Sequence, residues 1–214
     1  VKRTSLVWIK TLIASLICIL VSTNMVLSAS FSGKAADPME TIRVYVDQAI
    51  DILDMTQQDH EINQKSQDEK IWELALSLFD FDIISKLTLG RNRRLFSGEQ
   101  LQRFTDLFSE LLKRTYVEKL KGEYQDSKIT IKYETQDYLN SSKTRAVVST
   151  LILRDGIETP IDYSMRLQDG KWSVYDIKVE KVSLIQNYRE QFDDILFKES
   201  PEQLIKRLKD KLDF

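Results

Sequence analysis

The feature that most constrains this chain is a change of hydrophobic period near residue 129, followed by two Asp-Gly pairs, Asp155-Gly156 and Asp169-Gly170. Before that point apolar residues recur every three or four positions, as the buried stripe of a helix requires. After it they alternate: Ile129, Ile131 and Tyr133 are separated by Thr130 and Lys132 and followed by Glu134. That is the pattern of a half-buried strand. Asp-Gly between two apolar runs signals a tight hairpin, because both central residues of the favoured turn need a left-handed backbone. Further strands are expected over Ala146 to Leu153, Pro160 to Leu167 and Lys171 to Val182. Four consecutive antiparallel strands in a meander follow.

Helical signals surround this block. Asp37-Pro38-Met39-Glu40 opens one helix: Asp accepts from free amides, Pro suits the first turn and Glu reaches back. Ile42, Tyr45, Val46, Ala49, Ile50 and Leu53 continue it at helical spacing. Thr56 to Lys65 is polar and predicts a loop or frayed end, and Ser66-Gln67-Asp68-Glu69 predicts the cap of a second helix. Phe79-Asp80-Phe81-Asp82 interrupts that helix, and a short one from Ile83 to Leu89 stops at Gly90. Ser97-Gly98-Glu99-Gln100 caps a helix predicted to reach Leu120, with Phe104, Phe108, Leu111 and Leu112 on a broad apolar face. After the strands, one helix carries Tyr188, Phe192, Ile195 and Leu196, and Ser200-Pro201-Glu202-Gln203 caps the last. The class is α+β: N-terminal helices, a four-stranded antiparallel meander, then C-terminal helices.

The N-terminus reads as an export signal. Lys2, Arg3 and Lys10 precede an uncharged run from Thr11 to Leu27, and small residues such as Ser28, Ala29 and Ser30 follow. Residues 1–30 are expected to be a cleaved signal peptide, with a boundary as late as about 36, and 37–214 the mature domain. A retained membrane anchor is the rival, for which the uncharged run is slightly short. Losing those three cations takes the formal charge from −2 to −5, leaving a mildly acidic protein expected in the periplasm.

Composition removes several classes of function. With 30% charged and 42% hydrophobic residues, the chain is neither disordered nor a polytopic membrane protein. The net charge lacks the basic footprint of a nucleic-acid binder. The one cysteine, Cys18, lies in the signal, and the one histidine, His60, lies in a polar stretch. No metal-ligand spacing, Gly-rich phosphate loop or nucleophile triad is present, so neither a metal nor a cofactor is expected. Asp176 is the one carboxylate of interest, placed by alternation on the face of Trp172 and Val174. Two readings compete: a carboxylate buried to accept hydrogen bonds, or a general base.

Two stretches carry a family resemblance. The first is Phe79-Asp80-Phe81, Leu87-Thr88-Leu89-Gly90, then Gln102-Arg103-Phe104 through Phe108 and Leu111-Leu112 to Tyr116. The second is Gly170-Lys171-Trp172-Ser173-Val174-Tyr175-Asp176-Ile177, Val182-Ser183-Leu184, then Asn187-Tyr188-Arg189 and Phe192. In order and spacing these resemble the signatures of the toluene-tolerance auxiliary family, also called the MlaC family. The resemblance implies a nuclear-transport-factor-like sheet with an apolar cavity between sheet and helices. It also implies a phospholipid ligand, no catalysis, and exchange with two partners: an inner-membrane MCE-domain subunit of an ABC transporter and an outer-membrane lipoprotein complex. This chain departs from the pattern at Lys181, where the family usually has Gly, and at Arg91-Asn92-Arg93-Arg94, where aromatic residues are frequent.

The expected lipid-binding lining is Phe81, Ile84, Leu87, Phe104, Phe108, Leu111, Val147, Leu151, Ile161, Tyr163, Met165, Trp172, Val174, Val182 and Leu184. Two other readings stand beside the carrier. One is an isomerase- or dehydratase-like enzyme using Asp176 with Tyr163 or Tyr175. The other is a transporter adaptor that binds no lipid.

Overall fold

The computed structural model describes residues 37–58, 64–125 and 129–213. The export-signal reading, Cys18 and His60 lie outside the described residues. Helix α1 spans Pro38–Gln58, α2 Gln64–Leu78 and α3 Phe81–Leu89. A 3₁₀ helix, Gly90–Leu95, leads to the long helix α4, Gly98–Gln125. Strands β1 (Ile129–Tyr138), β2 (Arg145–Arg154), β3 (Ile157–Gln168), β4 (Lys171–Val179) and β5 (Val182–Ser183) follow. Helices α5 (Leu184–Leu196) and α6 (Pro201–Leu212) close the chain. Among the described residues, no helix is long and apolar enough to cross a membrane.

The sheet is an antiparallel meander in sequence order, but it has five strands. The run expected to continue to Val182 breaks at Glu180 and Lys181, whose φ values are +49° and +72°. The chain doubles back there, and Val182–Ser183 pairs with Lys178 and Val179. The left-handed conformation at Lys181 is therefore kept although the side chain is not glycine. The two Asp-Gly turns behave as their sequences require: Asp155 and Gly156 have φ of +51° and +81°, Asp169 and Gly170 of +51° and +77°.

The helix boundaries differ from the sequence expectation in two places. Helix α2 begins at Gln64, so Ser66 lies inside it and does not cap it. Gln67 instead donates to the Ile52 carbonyl of α1 at 3.2 Å, tying the two helices together. Helix α4 runs through Gly122, because length and packing outweigh about 1 kcal/mol of unfavourable glycine propensity. The caps at Ser97/Gln100 and Ser200/Gln203 form as reciprocal pairs.

One sheet face is covered by α1 and α2. Met39 N–H donates to Gln136 Oε1 at 2.7 Å and Tyr133 O–H to Asp47 Oδ1 at 2.8 Å, fixing α1 along β1. Arg43 lies 4.1 Å from the centre of the Tyr133 ring. The other helices make a separate core, in which α4 packs against α3, α5 and α6.

Two substitutions test the turns. Gly156→Ala meets no steric obstacle but must hold a left-handed backbone, so it should cost about 1–2 kcal/mol in a urea unfolding curve. Lys181→Gly relieves the same strain and should gain about 0.5 kcal/mol after the added freedom of the unfolded chain is offset.

Candidate functional site

The sheet presents its apolar face through Ala146 and Val148 of β2, Tyr163 and Met165 of β3, and Trp172 and Val174 of β4. Register explains the grouping: Ala146 pairs with Met165, Val148 with Tyr163, and Met165 with Val174. Ile42 of α1 and Leu78 of α2 close over these side chains, and Met39, Tyr45 and Val46 pack at the margin. Burial pushes the Tyr163 phenol up, an effect moderated by the nearby Thr150 hydroxyl. Among the described residues the side chains buried on this face are uncharged, with the Tyr163 phenol and the Thr150 hydroxyl as polar groups, so the region between α1–α2 and the sheet is a largely apolar interior.

A second apolar cluster lies between helices. Phe104 and Phe108 of α4 stack with centroids 5.5 Å apart, and Phe192 of α5 meets them edge-on at 5.4 and 5.3 Å. Tyr188 stands 4.9 Å from Phe108, and burial pushes its phenol up, with Tyr116 adding to the shift. Ile84, Leu111, Leu204 and Ile205 complete the packing.

The expected lining is thus divided. Tyr163, Met165, Trp172 and Val174 belong to the sheet cluster and Ile161 packs against it. Ile84, Phe104, Phe108 and Leu111 belong to the helix cluster, and Phe81 and Leu184 pack against it. The rest lie outside both clusters. Val147 and Leu151 occupy the positions of β2 that alternate with buried Ala146, Val148 and Thr150, so they point to the opposite face. Leu87 is half-buried, with its carbonyl taken by Arg189 Nε at 2.9 Å. Val182 is 62% exposed, because the turn at Glu180–Lys181 carries it to the outside of the sheet edge. Helix α1 supplies Ile42, which the lining omitted although its helical spacing marked it as inward-facing.

Phe79 joins the two clusters, packing against both. It forms a parallel bridge to Val174, and Asp80 N–H donates to the Val174 carbonyl at 2.9 Å. The Asp80 carboxylate caps α3 by accepting from Ile83 N–H at 3.0 Å, and it meets Arg166 Nε of β3 at 3.4 Å. A cleft of about 580 Å³ opens at this junction, lined by Phe79, Phe81, Asp82, Lys171 and Ser173 among others. A second cleft of about 520 Å³, between α4 and α6, lies over Leu107 and Ile205 of the helix cluster and is rimmed by Arg103, Asp106, Glu202 and Lys206. None of its lining residues belongs to the sheet cluster, whereas Phe79 brings the first cleft to the margin of that cluster.

Asp176 is the one carboxylate among the buried described residues. A register shift at Ser164/Met165 pairs Met165 with Val174 and Ser164 with Asp176. Tyr175 is the extra residue of that bulge, so Asp176 turns to the opposite face from Val174, not the shared face that simple alternation predicts. There it accepts from Ser183 Oγ at 2.7 Å and Ile185 N–H at 3.1 Å, while Ser183 Oγ accepts from Gln186 N–H at 3.0 Å. The carboxylate thus holds the first turn of α5, and both of its oxygens are engaged. Asp176→Ala leaves two buried donors without an acceptor and should cost about 2–4 kcal/mol in urea unfolding. Asp176→Asn keeps one acceptor and should cost roughly half as much.

Comparison with known proteins places this geometry. A solved structure of a phospholipid-binding protein from Ralstonia solanacearum, in complex with a phospholipid, is similar, with a TM-score of 0.68 and 25% identity over 82% of this chain and 96% of that one. No curated protein matches. The family model described as MlaC protein matches residues 43–210, from within α1 to within α6. That span takes in the sheet, the Phe79–Asp80 junction and most of both apolar clusters, and the chain belongs to the MlaC family.

Proposed function

We propose that this protein is a phospholipid carrier that holds acyl chains between the sheet and helices α1–α2. In this reading it is exported to the periplasm and shuttles lipid between an inner-membrane ABC transporter with an MCE-domain subunit and an outer-membrane lipoprotein complex. The observation that carries the reading is the phospholipid bound by the similar Ralstonia solanacearum protein. The charge-free interior agrees with it. Moving an acyl chain through water exposes apolar surface at about 0.8 kcal/mol per CH₂, and an apolar enclosure offsets that cost without any catalytic group. The export signal of residues 1–30 and the family membership support the location and the partners.

In the described conformation the sheet cluster is closed, with Ala146, Val148, Met165 and Val174 fully buried. Loading therefore requires α1 and α2 to move off the sheet. The Tyr133–Asp47 and Gln136–Met39 hydrogen bonds at the margin of α1 exchange readily with water, and the Phe79–Val174 bridge at the end of α2 is the attachment about which the movement turns. The headgroup stays in water outside the cleft at Phe79–Phe81, whose carboxylates Asp80, Asp82 and Asp169 outnumber its one lysine, Lys171.

Mass spectrometry of protein purified without detergent, under native and then denaturing conditions, tests this reading. A stoichiometric phospholipid released on denaturation is the expected result. A protein that is consistently lipid-free after exposure to phospholipid vesicles would refute the carrier and favour the adaptor. Phe81→Glu puts an acidic side chain at the first turn of α3, where the helix dipole favours it. It should keep the fold by circular dichroism and lower retained lipid about tenfold.

A further inference from the structure

We propose that the 3₁₀ helix and the C-terminal end of α5 form a patch that docks on an anionic lipid surface. The arginines would meet lipid phosphates, and Leu95 and Phe197 would enter the apolar boundary. This inference extends the carrier reading and rests on it for its purpose, but the contact itself is a separate property.

Two contacts set the register of these elements. Gly90 lies against the Arg189 side chain, and Asn92 Nδ2 donates to Asp193 Oδ1 at 2.6 Å. Going from Gly90 to Asn92 thus matches going from Arg189 to Asp193, so both segments advance in the same direction. Leu95 lies three residues beyond Asn92, about 6 Å at the rise of a 3₁₀ helix. Phe197 lies four residues beyond Asp193, also about 6 Å at the rise of an α-helix. It still follows helical geometry, with φ −65° and ψ −29° and its N–H on the Asp193 carbonyl. Leu95 and Phe197 therefore lie toward the same end of the two neighbouring segments.

Both are exposed, Leu95 by 56% and Phe197 by 87%. Arg91, Arg93 and Arg94 surround Leu95, are exposed, and have no carboxylate partner among the described residues. Lys198 follows Phe197. Of the nearby acids, Asp193 is engaged by Asn92 and Asp194 remains exposed. Unpaired arginines on a chain of formal charge −2 make a local positive field. Arginines flanking exposed large apolar side chains are the composition that binds a membrane interface, where charge draws the patch to the surface and apolar burial holds it. An acidic protein partner would satisfy the arginines but leaves an almost fully exposed phenylalanine without a role.

The test is co-sedimentation of the exported, signal-cleaved protein with vesicles of phosphatidylcholine alone and of phosphatidylcholine containing about one-third phosphatidylglycerol, at low and high salt. The cleaved form is used because the uncharged run Thr11 to Leu27 would carry any chain that retains it to the pellet with either vesicle type. The parent should prefer anionic vesicles, and salt should weaken that preference. The Arg91→Gln/Arg93→Gln/Arg94→Gln variant should bind them roughly 100-fold more weakly, at about fivefold per arginine. Leu95→Ser/Phe197→Ser should lower binding at least about tenfold while keeping the salt dependence. Undiminished binding by either variant would overturn the proposal, as would equal binding of the parent to both vesicle types, which would leave the arginines to an acidic protein. Bound lipid is measured on the same preparations under denaturing conditions. Its absence refutes the carrier reading alone and leaves the vesicle result standing.

Discussion

The break between α2 and α3 at Phe79 and Asp80 is the constraint on which the rest of the molecule depends. Two apolar clusters of different make-up meet there, and Phe79 is packed into both. The backbone at this point is drawn onto the free side of β4 through the Val174 carbonyl, while the Asp80 carboxylate reaches both the first turn of α3 and Arg166 of β3. One residue thus ends a helix, starts the next and attaches both to the sheet. A continuous α2–α3 helix would carry the Phe104–Phe108 cluster away from β4 and leave both apolar faces open to water.

In the proposed carrier cycle the two clusters have different parts. The helix cluster is held by offset and edge-on aromatic contacts among Phe104, Phe108, Tyr188 and Phe192, each worth about 0.5–1.5 kcal/mol beyond its buried area. Such contacts are directional and resist sliding. The sheet cluster also holds the aromatic Tyr163 and Trp172, but the contacts of its aliphatic members and Met165 are non-directional and can be replaced by an acyl chain. In the proposed cycle the aromatic helix cluster stays as a rigid body, and α1–α2 part from the sheet. The Asp176 cap belongs to the rigid side, because it keeps the start of α5 on β4.

Much of the fold was legible in the residues, and the misreadings have specific causes. The alternation of β1, the left-handed Asp-Gly turns and the Ser200–Gln203 cap are local effects, and each forms as its sequence requires. The site was less legible. Residues Ala146 to Leu153 include bulky apolar side chains at both alternating sets of positions, so composition does not say which set faces the helices. The Asp155-Gly156 turn and its register put Ala146 and Val148 opposite Met165 and Tyr163, and Val147 and Leu151 went to the other side. Tyr175 marks its bulge by no residue type, and a single inserted position reverses the side on which Asp176 emerges.

The residues alone were enough for the α+β class and for the run of helices, meander and helices. Periodicity, capping residues and turn residues act within a few positions of one another, and the shortage of histidine, cysteine and glycine is a matter of composition. It took the three-dimensional packing to divide the buried apolar residues among three clusters, the third joining Leu53 of α1, Ile71 of α2 and Val117 of α4. That packing also settles that Lys181 accepts a left-handed backbone, that Asp176 serves a helix cap, and that Leu95 and Phe197 are left exposed. Each of these depends on contacts between residues far apart in the chain, and such contacts are fixed by register and packing, which leave no mark on the spacing of residue types.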